Sequence, residues 1–372
     1  MKIHIIDPGL NSKTGHHYDI DIRVAVELAS RGHHVNIHTH RDFASAKDIP
    51  GLNNVEFTPL FSLNPYAIAS PPLNDPWAGD LRYFRQAIHA FSEDLKQVTR
   101  ADIWLLPTVF PHQLTALARL DSLPFVVGCI HTHPNFQFNQ GQMLWRIAFL
   151  ESENKADRIK LGVLEKELLL EYEQLFANES QSIHPWPLPH DGAPSSRLRT
   201  ELRTVGLLGH QRATKGLQLL PQIVNNLLQL GYEVILQDSE GKLAAQFESS
   251  KKLRVFNYVP SIGDLIQECD AVLLNYDPVF YRFSGSGIAW ESIACGAPIL
   301  APAGTTVSRL IRDYQTGATF CPNNPASMYR MLNTVRDDFP TYSENARQAS
   351  ATYKATHGTA KLVDKILSMI PS

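Results

Sequence analysis

Tyr281-Arg-Phe-Ser-Gly-Ser-Gly-Ile-Ala-Trp-Glu-Ser-Ile-Ala-Cys-Gly-Ala-Pro298 decides the fold. The apolar run Ala271-Val-Leu-Leu-Asn275 precedes it and reads as a buried strand, and Pro298-Ile-Leu-Ala301 reads as the next strand. Between them, Ser284-Gly285-Ser286-Gly287 forms a turn, and Ile288 to Cys295 forms a short helix closed by Gly296. Strand, glycine-serine turn and helix together offer unsatisfied backbone N–H groups to an anion. Glu291 lies about one turn inside the helix, and helical side chains lean toward the N-terminus. Its carboxylate is therefore expected beside whatever the turn holds. A diphosphate on the N–H groups with ribose hydroxyls on Glu291 suits this arrangement. The plainer alternative is a packing turn with a solvated glutamate that favours the helix dipole.

The same stretch resembles the donor-binding segment of family-four retaining glycosyltransferases of the GT-B fold. That segment carries two glutamates with seven residues between them, the second followed by small residues, Gly and Pro. Glu291 matches the second glutamate, with Ala294-Cys-Gly-Ala-Pro298 behind it. Phe283 stands where the first would be, so the resemblance is to a divergent branch. In the family the first glutamate lies near the donor sugar, and its replacement puts the usual sugar contacts in question.

Length and composition set the frame. A chain of 372 residues suggests about two domains. Hydrophobic content of 44% and charged content of 19% are ordinary for a globular protein. A formal net charge of −3 offers no electrostatic reason to bind nucleic acid. Cys129, Cys269, Cys295 and Cys321 lack close spacing, which favours reduced thiols and a cytoplasmic setting over disulfides or a zinc cluster. Met1-Lys-Ile-His-Ile-Ile-Asp7 begins directly as a strand, so no signal peptide is expected. No run reaches the ~20 apolar residues of a membrane span. Peripheral contact with a membrane stays open.

In the N-terminal half, Lys2 to Ile6 reads as a strand and Asp7 to Gly15 as a long turn. A helix follows with apolar residues at Ile20, Val24 and Leu28, then a strand over His34 to Thr39. This is a Rossmann-like unit without a GxGxxG fingerprint. The resemblance implies that Gly15, His16 and His17 face the substrate; helix capping with surface histidines is the other reading. Asp19-Ile-Asp21 is not expected to hold a metal, because i and i+2 on a helix diverge. The stretch from Leu52 to Pro76 reads as a loop, Leu81 to Val98 as a helix, and Met143 to Phe176 as helical cover. Pro124-Phe-Val-Val-Gly-Cys-Ile-His131-Thr-His133 places a histidine at the C-terminal edge of a strand, the ligand side of a parallel sheet. The resemblance implies that His131, with His133 as runner-up, lies near the donor sugar. A zinc site using His131, His133 and His16 or His17 lacks an obvious completing ligand.

His184-Pro-Trp-Pro-Leu-Pro-His-Asp-Gly-Ala-Pro194 marks a hinge. The expected domains are therefore 1–185, a linker over 186–200, and 201–350, with 351–372 as a helix crossing back to the first. Thr204 to Leu208 opens a second sheet and leads into Gly209-His-Gln-Arg-Ala-Thr-Lys-Gly216. The resemblance implies that Arg212 and Lys215 reach the donor diphosphate, where fixed cations stabilise the charge of a leaving group. Exposed charges in a polar loop are the alternative. Asn257-Tyr-Val259 is similar to a segment whose backbone meets the nucleobase.

The expected protein is α/β, with two Rossmann-like domains facing across a cleft in the GT-B fold. Its implied activity is metal-independent retaining transfer of a sugar from a nucleotide-diphosphate sugar. That donor is a co-substrate, and no separate cofactor is expected. The acceptor is a glycan, lipid or small molecule. His131, Arg212 and Lys215 are the expected catalytic residues. Ser284, Gly285, Ser286, Gly287 and Glu291 are expected to hold the nucleotide. Two further readings stay open, a GT-B-shaped binding or scaffold protein without transferase activity and a nucleotide-sugar epimerase.

Overall fold

The computed structural model describes residues 1–13, 15–44, 54–66, 76–135, 140–175, 183–195, 199–247, 250–257, 259 and 261–371, with only the backbone of 76–80. By internal packing the chain divides into two units, residues 1–189 with 359–372, and residues 190–358.

The first unit contains β1 (Lys2–Asp7), α1 (His16–Ser30), β2 (His34–His40), β3 (Val55–Phe61), α2 (Pro76–Leu95), β4 (Ile103–Leu106), α3 (Pro111–Ala118), β5 (Phe125–Ile130), α4 (Gly141–Ser152), β6 (Ile159–Val163), α5 (Lys166–Glu173) and β7 (Ile183–Pro185). Its strands form one parallel sheet in the order β3-β2-β1-β4-β5-β6-β7. Strand β5 is buried at every position, as a strand covered on both faces must be. The final helix of the chain, Thr359–Ser368, packs its Leu362, Val363 and Ile366 into this unit's core beside Ile20, Val24 and Trp186.

Three segments differ from the sequence expectation. The stretch read as a loop over 52–76 contains β3, an edge strand on which Pro59 removes no interior ladder bond. The stretch read as helical cover contains β6, whose Ile159, Leu161 and Val163 are buried between β5 and β7. Strand β7 occupies the start of the proline-rich hinge, again at a sheet edge, and Trp186 and Leu188 beyond it are buried.

The second unit contains β8 (Thr204–Leu207), α6 (Leu220–Gln229), β9 (Glu233–Gln237), β10 (Leu253–Phe256), α7 (Ile262–Glu268), β11 (Ala271–Leu273), α8 (Pro278–Tyr281), α9 (Gly287–Ala294), β12 (Ile299–Pro302), α10 (Thr306–Tyr314), β13 (Gly317–Phe320), α11 (Pro325–Asp337) and α12 (Phe339–Thr356). Its parallel sheet runs β10-β9-β8-β11-β12-β13. Leu207, Val224, Leu227, Leu236, Leu273 and Leu332 belong to its core.

Both sheets reverse their strand order once, at β1/β4 in the first and β8/β11 in the second. Open parallel sheets bind ligands at the carboxyl ends of the strands flanking such a reversal. The loops after β1, β4, β8 and β11 therefore stand where such sheets take ligands.

Beneath the first sheet's surface, His4 and His38 face each other across β1 and β2, with ring nitrogens 3.1 Å apart. Burial, with the charge of Lys2 adding, pulls His4 down to about 4. Burial, then the proximity of His4 and Lys2, pulls His38 to about 3. The folded state refuses protons that the unfolded chain accepts below about 6.5, so this stability is intact above that pH and lost as pH falls. The thermal midpoint should decline between pH 6.5 and 4. A variant carrying His4→Val and His38→Val should show a shallower acid slope, in part only because His112 is also buried and held near 3. An unchanged slope in the variant would contradict this assignment.

Candidate functional site

Glycine brings the loop after β8 close to the loop after β11. Gly209 has φ +90°, and a Cβ there would lie 2.9 Å from the Ile288 side chain and 3.3 Å from Lys215 Nζ. Gly216 has φ +70°, and a Cβ there would meet the Asn275 carbonyl at 2.5 Å. Other residues resist such backbone angles, and these positions also lack room for a side chain. The Asp277 N–H donates to the Thr214 carbonyl at 3.2 Å, tying the two loops directly.

The structure brings Arg212, Lys215 and the glycine-serine turn together. Lys215 Nζ lies 5.2 Å from the ring centre of Tyr276, within cation–π range. The Tyr276 hydroxyl and Ser286 Oγ are 2.9 Å apart. Ser286 caps α9, its Oγ accepting from the Ala289 N–H at 3.2 Å. Arg212 Nη2 donates to the Tyr281 hydroxyl at 2.9 Å, and Tyr281 stacks on Tyr276 with centroids 4.2 Å apart. Ser284 offers its carbonyl to Thr306 Oγ1 at 2.6 Å, which pins the turn from α10. Gly285 and Gly287 are exposed at the helix mouth. Among the described residues neither Arg212 nor Lys215 has a carboxylate partner. Burial and then the charge of Arg212 depress the Lys215 ammonium to about 8. Two like charges held together without a counter-ion form a site that attracts an anion.

Glu291 is not the solvated glutamate of the plainer reading. Its carboxylate is nearly buried, at 5% exposure, and Oε2 lies 3.2 Å from His190 Nδ1. The same imidazole faces Gly287 at the helix mouth, 3.4 Å from where its Cβ would stand. His190 therefore stands by both residues, and its place within the hinge motif hid this proximity. Phe283 is half-buried with the Arg282 guanidinium 5.0 Å from its ring centre, and the Arg282 carbonyl accepts from Arg309. Tyr258, in the segment similar to a nucleobase contact, lies outside the described residues.

In the first unit, the loop after β1 carries a cluster that the sequence reading caught only in part. His17 Nδ1 lies 2.6 Å from Asp7 Oδ2, and Asp7 Oδ1 accepts from the Gly9 N–H at 2.8 Å. Burial alone would raise Asp7; the His17 charge, with the hydrogen bonds from His17 and Gly9, holds it at about 2. His17 is raised, its burial outweighed by the charge and hydrogen bond of Asp7. Asp21 is pushed far up by burial first and then by the neighbouring Asp7, while both oxygens of its carboxyl are buried without a hydrogen-bond partner among the described residues. Asp19 is exposed and pairs instead with Arg23 at 3.1 Å, so the two aspartates of the Asp-Ile-Asp motif diverge. Asp21 shares the face of α1 that carries Ala25 and Leu28, and a carboxyl within that buried stripe was the available signal.

His16 is exposed, with its ring 4.2 Å from that of His17, and Gly15 precedes α1 at φ 90°. His131, just beyond β5, donates to the Pro107 carbonyl; burial and then the nearby His17 lower it to about 4, which keeps it neutral. It lines a narrow apolar pocket with Ile20, Cys129, Trp186 and Leu362. His133 faces Glu171 at 3.5 Å instead.

No known family model matches the sequence, and no curated protein matches it. Solved structures do. A sucrose-phosphate synthase from Thermosynechococcus elongatus superposes with TM-score 0.68 at 12% identity, over 99% of this chain and 98% of that one. WaaG, a glycosyltransferase of lipopolysaccharide biosynthesis, gives 0.65 at 16% identity over the whole of both chains. Anabaena HepE, solved in complex with UDP-glucose, gives 0.64 at 14% identity, again over the whole of both. These likenesses establish the fold, that of GT-B glycosyltransferases with Rossmann-like α/β units. No helix among the described residues is long and apolar enough to cross a membrane.

The depressed Lys215 has a consequence for stability. Between pH 8 and 10.5 the unfolded chain binds a proton that the folded chain has released, so stability rises with pH there. Below about 8 the folded protein carries the full penalty of a desolvated ammonium. Lys215→Met should raise the thermal midpoint at pH 7 and remove the rise above pH 8. A lowered midpoint would mean that the charge is compensated in the folded state.

Proposed function

We propose that this chain is a glycosyltransferase that moves a sugar from a nucleotide-diphosphate sugar to an acceptor, with retention of configuration and without a metal ion. The observation that carries the reading is the meeting of Arg212 and Lys215 with the mouth of α9 at the β8/β11 reversal. When the bond from the sugar's C1 to the diphosphate breaks, the electron pair stays on the leaving oxygen. Two fixed cations and the N–H groups of a helix start stabilise that charge where it develops. They occupy the role that a divalent cation fills in other transferases.

In this reading Arg212 and Lys215 hold the diphosphate. The Ser284–Gly287 turn donates its N–H groups. Glu291, beside His190, binds the ribose. His131 contacts the donor sugar, and Gly15, His16 and His17 receive the acceptor, a glycan, lipid or small molecule. A neutral His131 suits a hydrogen-bonding contact with a sugar hydroxyl. Because HepE was solved with UDP-glucose, uridine nucleotides are the first probes to use.

A second reading is a nucleotide-binding protein without transferase activity. Phe283 beneath Arg282, and a Glu291 carboxylate already engaged by His190, favour it. A product assay across a panel of nucleotide sugars separates the two, since tight binding with neither transfer nor donor hydrolysis would support the second.

Arg212→Ala with Lys215→Ala should abolish UDP binding in calorimetry and abolish turnover, and unchanged binding would overturn the reading. For the unaltered protein, UDP affinity should be steady near neutrality and decline as pH rises past about 8, where free Lys215 loses its proton. A profile flat to pH 10 would remove Lys215 from the diphosphate site.

A further inference from the structure

Arg212 is exposed and stands at the start of a short 3-10 turn, Ala213–Lys215. A free arginine there would sample many rotamers, and fixing one on a ligand carries an entropic penalty. The fold restricts it in advance. Tyr281 is 4% exposed, and its hydroxyl accepts from Arg212 Nη2 at 2.9 Å. Tyr281 cannot shift alone, because its ring stacks on Tyr276 at 4.2 Å and 28°. Tyr276 is itself buried and fixed through its hydroxyl to Ser286 Oγ, the cap of α9. Lys215 Nζ lies over that same ring, 5.2 Å from its centre. A continuous series of contacts thus runs from one cation, through two tyrosines, to the helix mouth, with the second cation beside it.

We propose that Tyr276 and Tyr281 are positioning residues that pre-set Arg212, Lys215 and the start of α9 as one cradle for a diphosphate. This rests on the functional reading above and deepens it. Neither tyrosine is required to touch the ligand. Tyr281 acts by choosing the Arg212 rotamer, and Tyr276 by joining that choice to the Ser286 cap. A cradle set before the ligand arrives needs no reorganisation during reaction, which is where electrostatic catalysis gains most. It also explains why a solvent-facing helix of four residues, α8, has a buried tyrosine at its end while Val279 and Phe280 are exposed.

The test is a double-mutant cycle on UDP affinity. Tyr281→Phe keeps the stacked ring and removes only the acceptor of the Arg212 bond. It should weaken UDP binding about 5- to 10-fold, the range of an ordinary hydrogen bond and below that of one made directly to a charged ligand, because the bond acts only through the Arg212 rotamer, and leave the ligand-free thermal midpoint unchanged. Arg212→Lys keeps the charge without the planar fork, so binding should be weakened but measurable. In that background Tyr281→Phe should have no further effect, because the residue it positions is gone. Tyr276→Phe is the second arm and should weaken binding while leaving the stack in place. The proposal is overturned if Tyr281→Phe binds UDP as the unaltered protein does, or if it loses the same factor with Lys at 212. Should Arg212→Ala itself bind UDP normally, the functional reading fails instead, so the two failures are distinguishable.

Discussion

The structure depends on a repulsion that it does not relieve. Arg212 and Lys215 are held near one another with no carboxylate partner among the described residues, and Lys215 gives up part of its proton affinity, first to its own burial and then to the charge of Arg212. A fold selected only for stability would place an aspartate there or turn the lysine into water. Instead, Gly209 and Gly216 adopt left-handed backbone to keep the loop close to α9, and two tyrosines hold the arginine in place. In the proposed reading, a diphosphate supplies the negative charge that these two cations lack.

The first unit handles charge the opposite way. Asp7 is paired with His17 at 2.6 Å and accepts from the Gly9 N–H, so its charge is compensated within the unit. Its role is suited to recognition by hydrogen bonds rather than to neutralising an anion. Both clusters lie beside strands that flank the reversal in their own sheets.

Local pattern was enough to read much of this. The strand–turn–helix around Ser284 to Gly287 and the cationic loop after β8 are continuous segments, and their hydrophobic periodicity and glycines mark them plainly. Segments that mixed signals were misread. Pro59 disguised β3, the Glu- and Leu-rich surroundings disguised β6, and the prolines after Ile183 disguised β7. The contacts that shape the site were beyond reach for a different reason. Tyr281 meets Arg212, His190 meets Glu291 and Asp21 meets Asp7 through tertiary packing, and no spacing rule links 190 to 291 or 212 to 281. Glu291 shows the limit well, since its helix and its inward lean were foreseeable while the imidazole that engages it was not.

The most direct test is the structure of the protein solved with UDP. The account predicts diphosphate oxygens within hydrogen-bonding distance of the Arg212 guanidinium, Lys215 Nζ and a backbone N–H at the start of α9, with the Arg212–Tyr281 bond retained. A diphosphate seated elsewhere on the second unit, with both cations facing water, would contradict it.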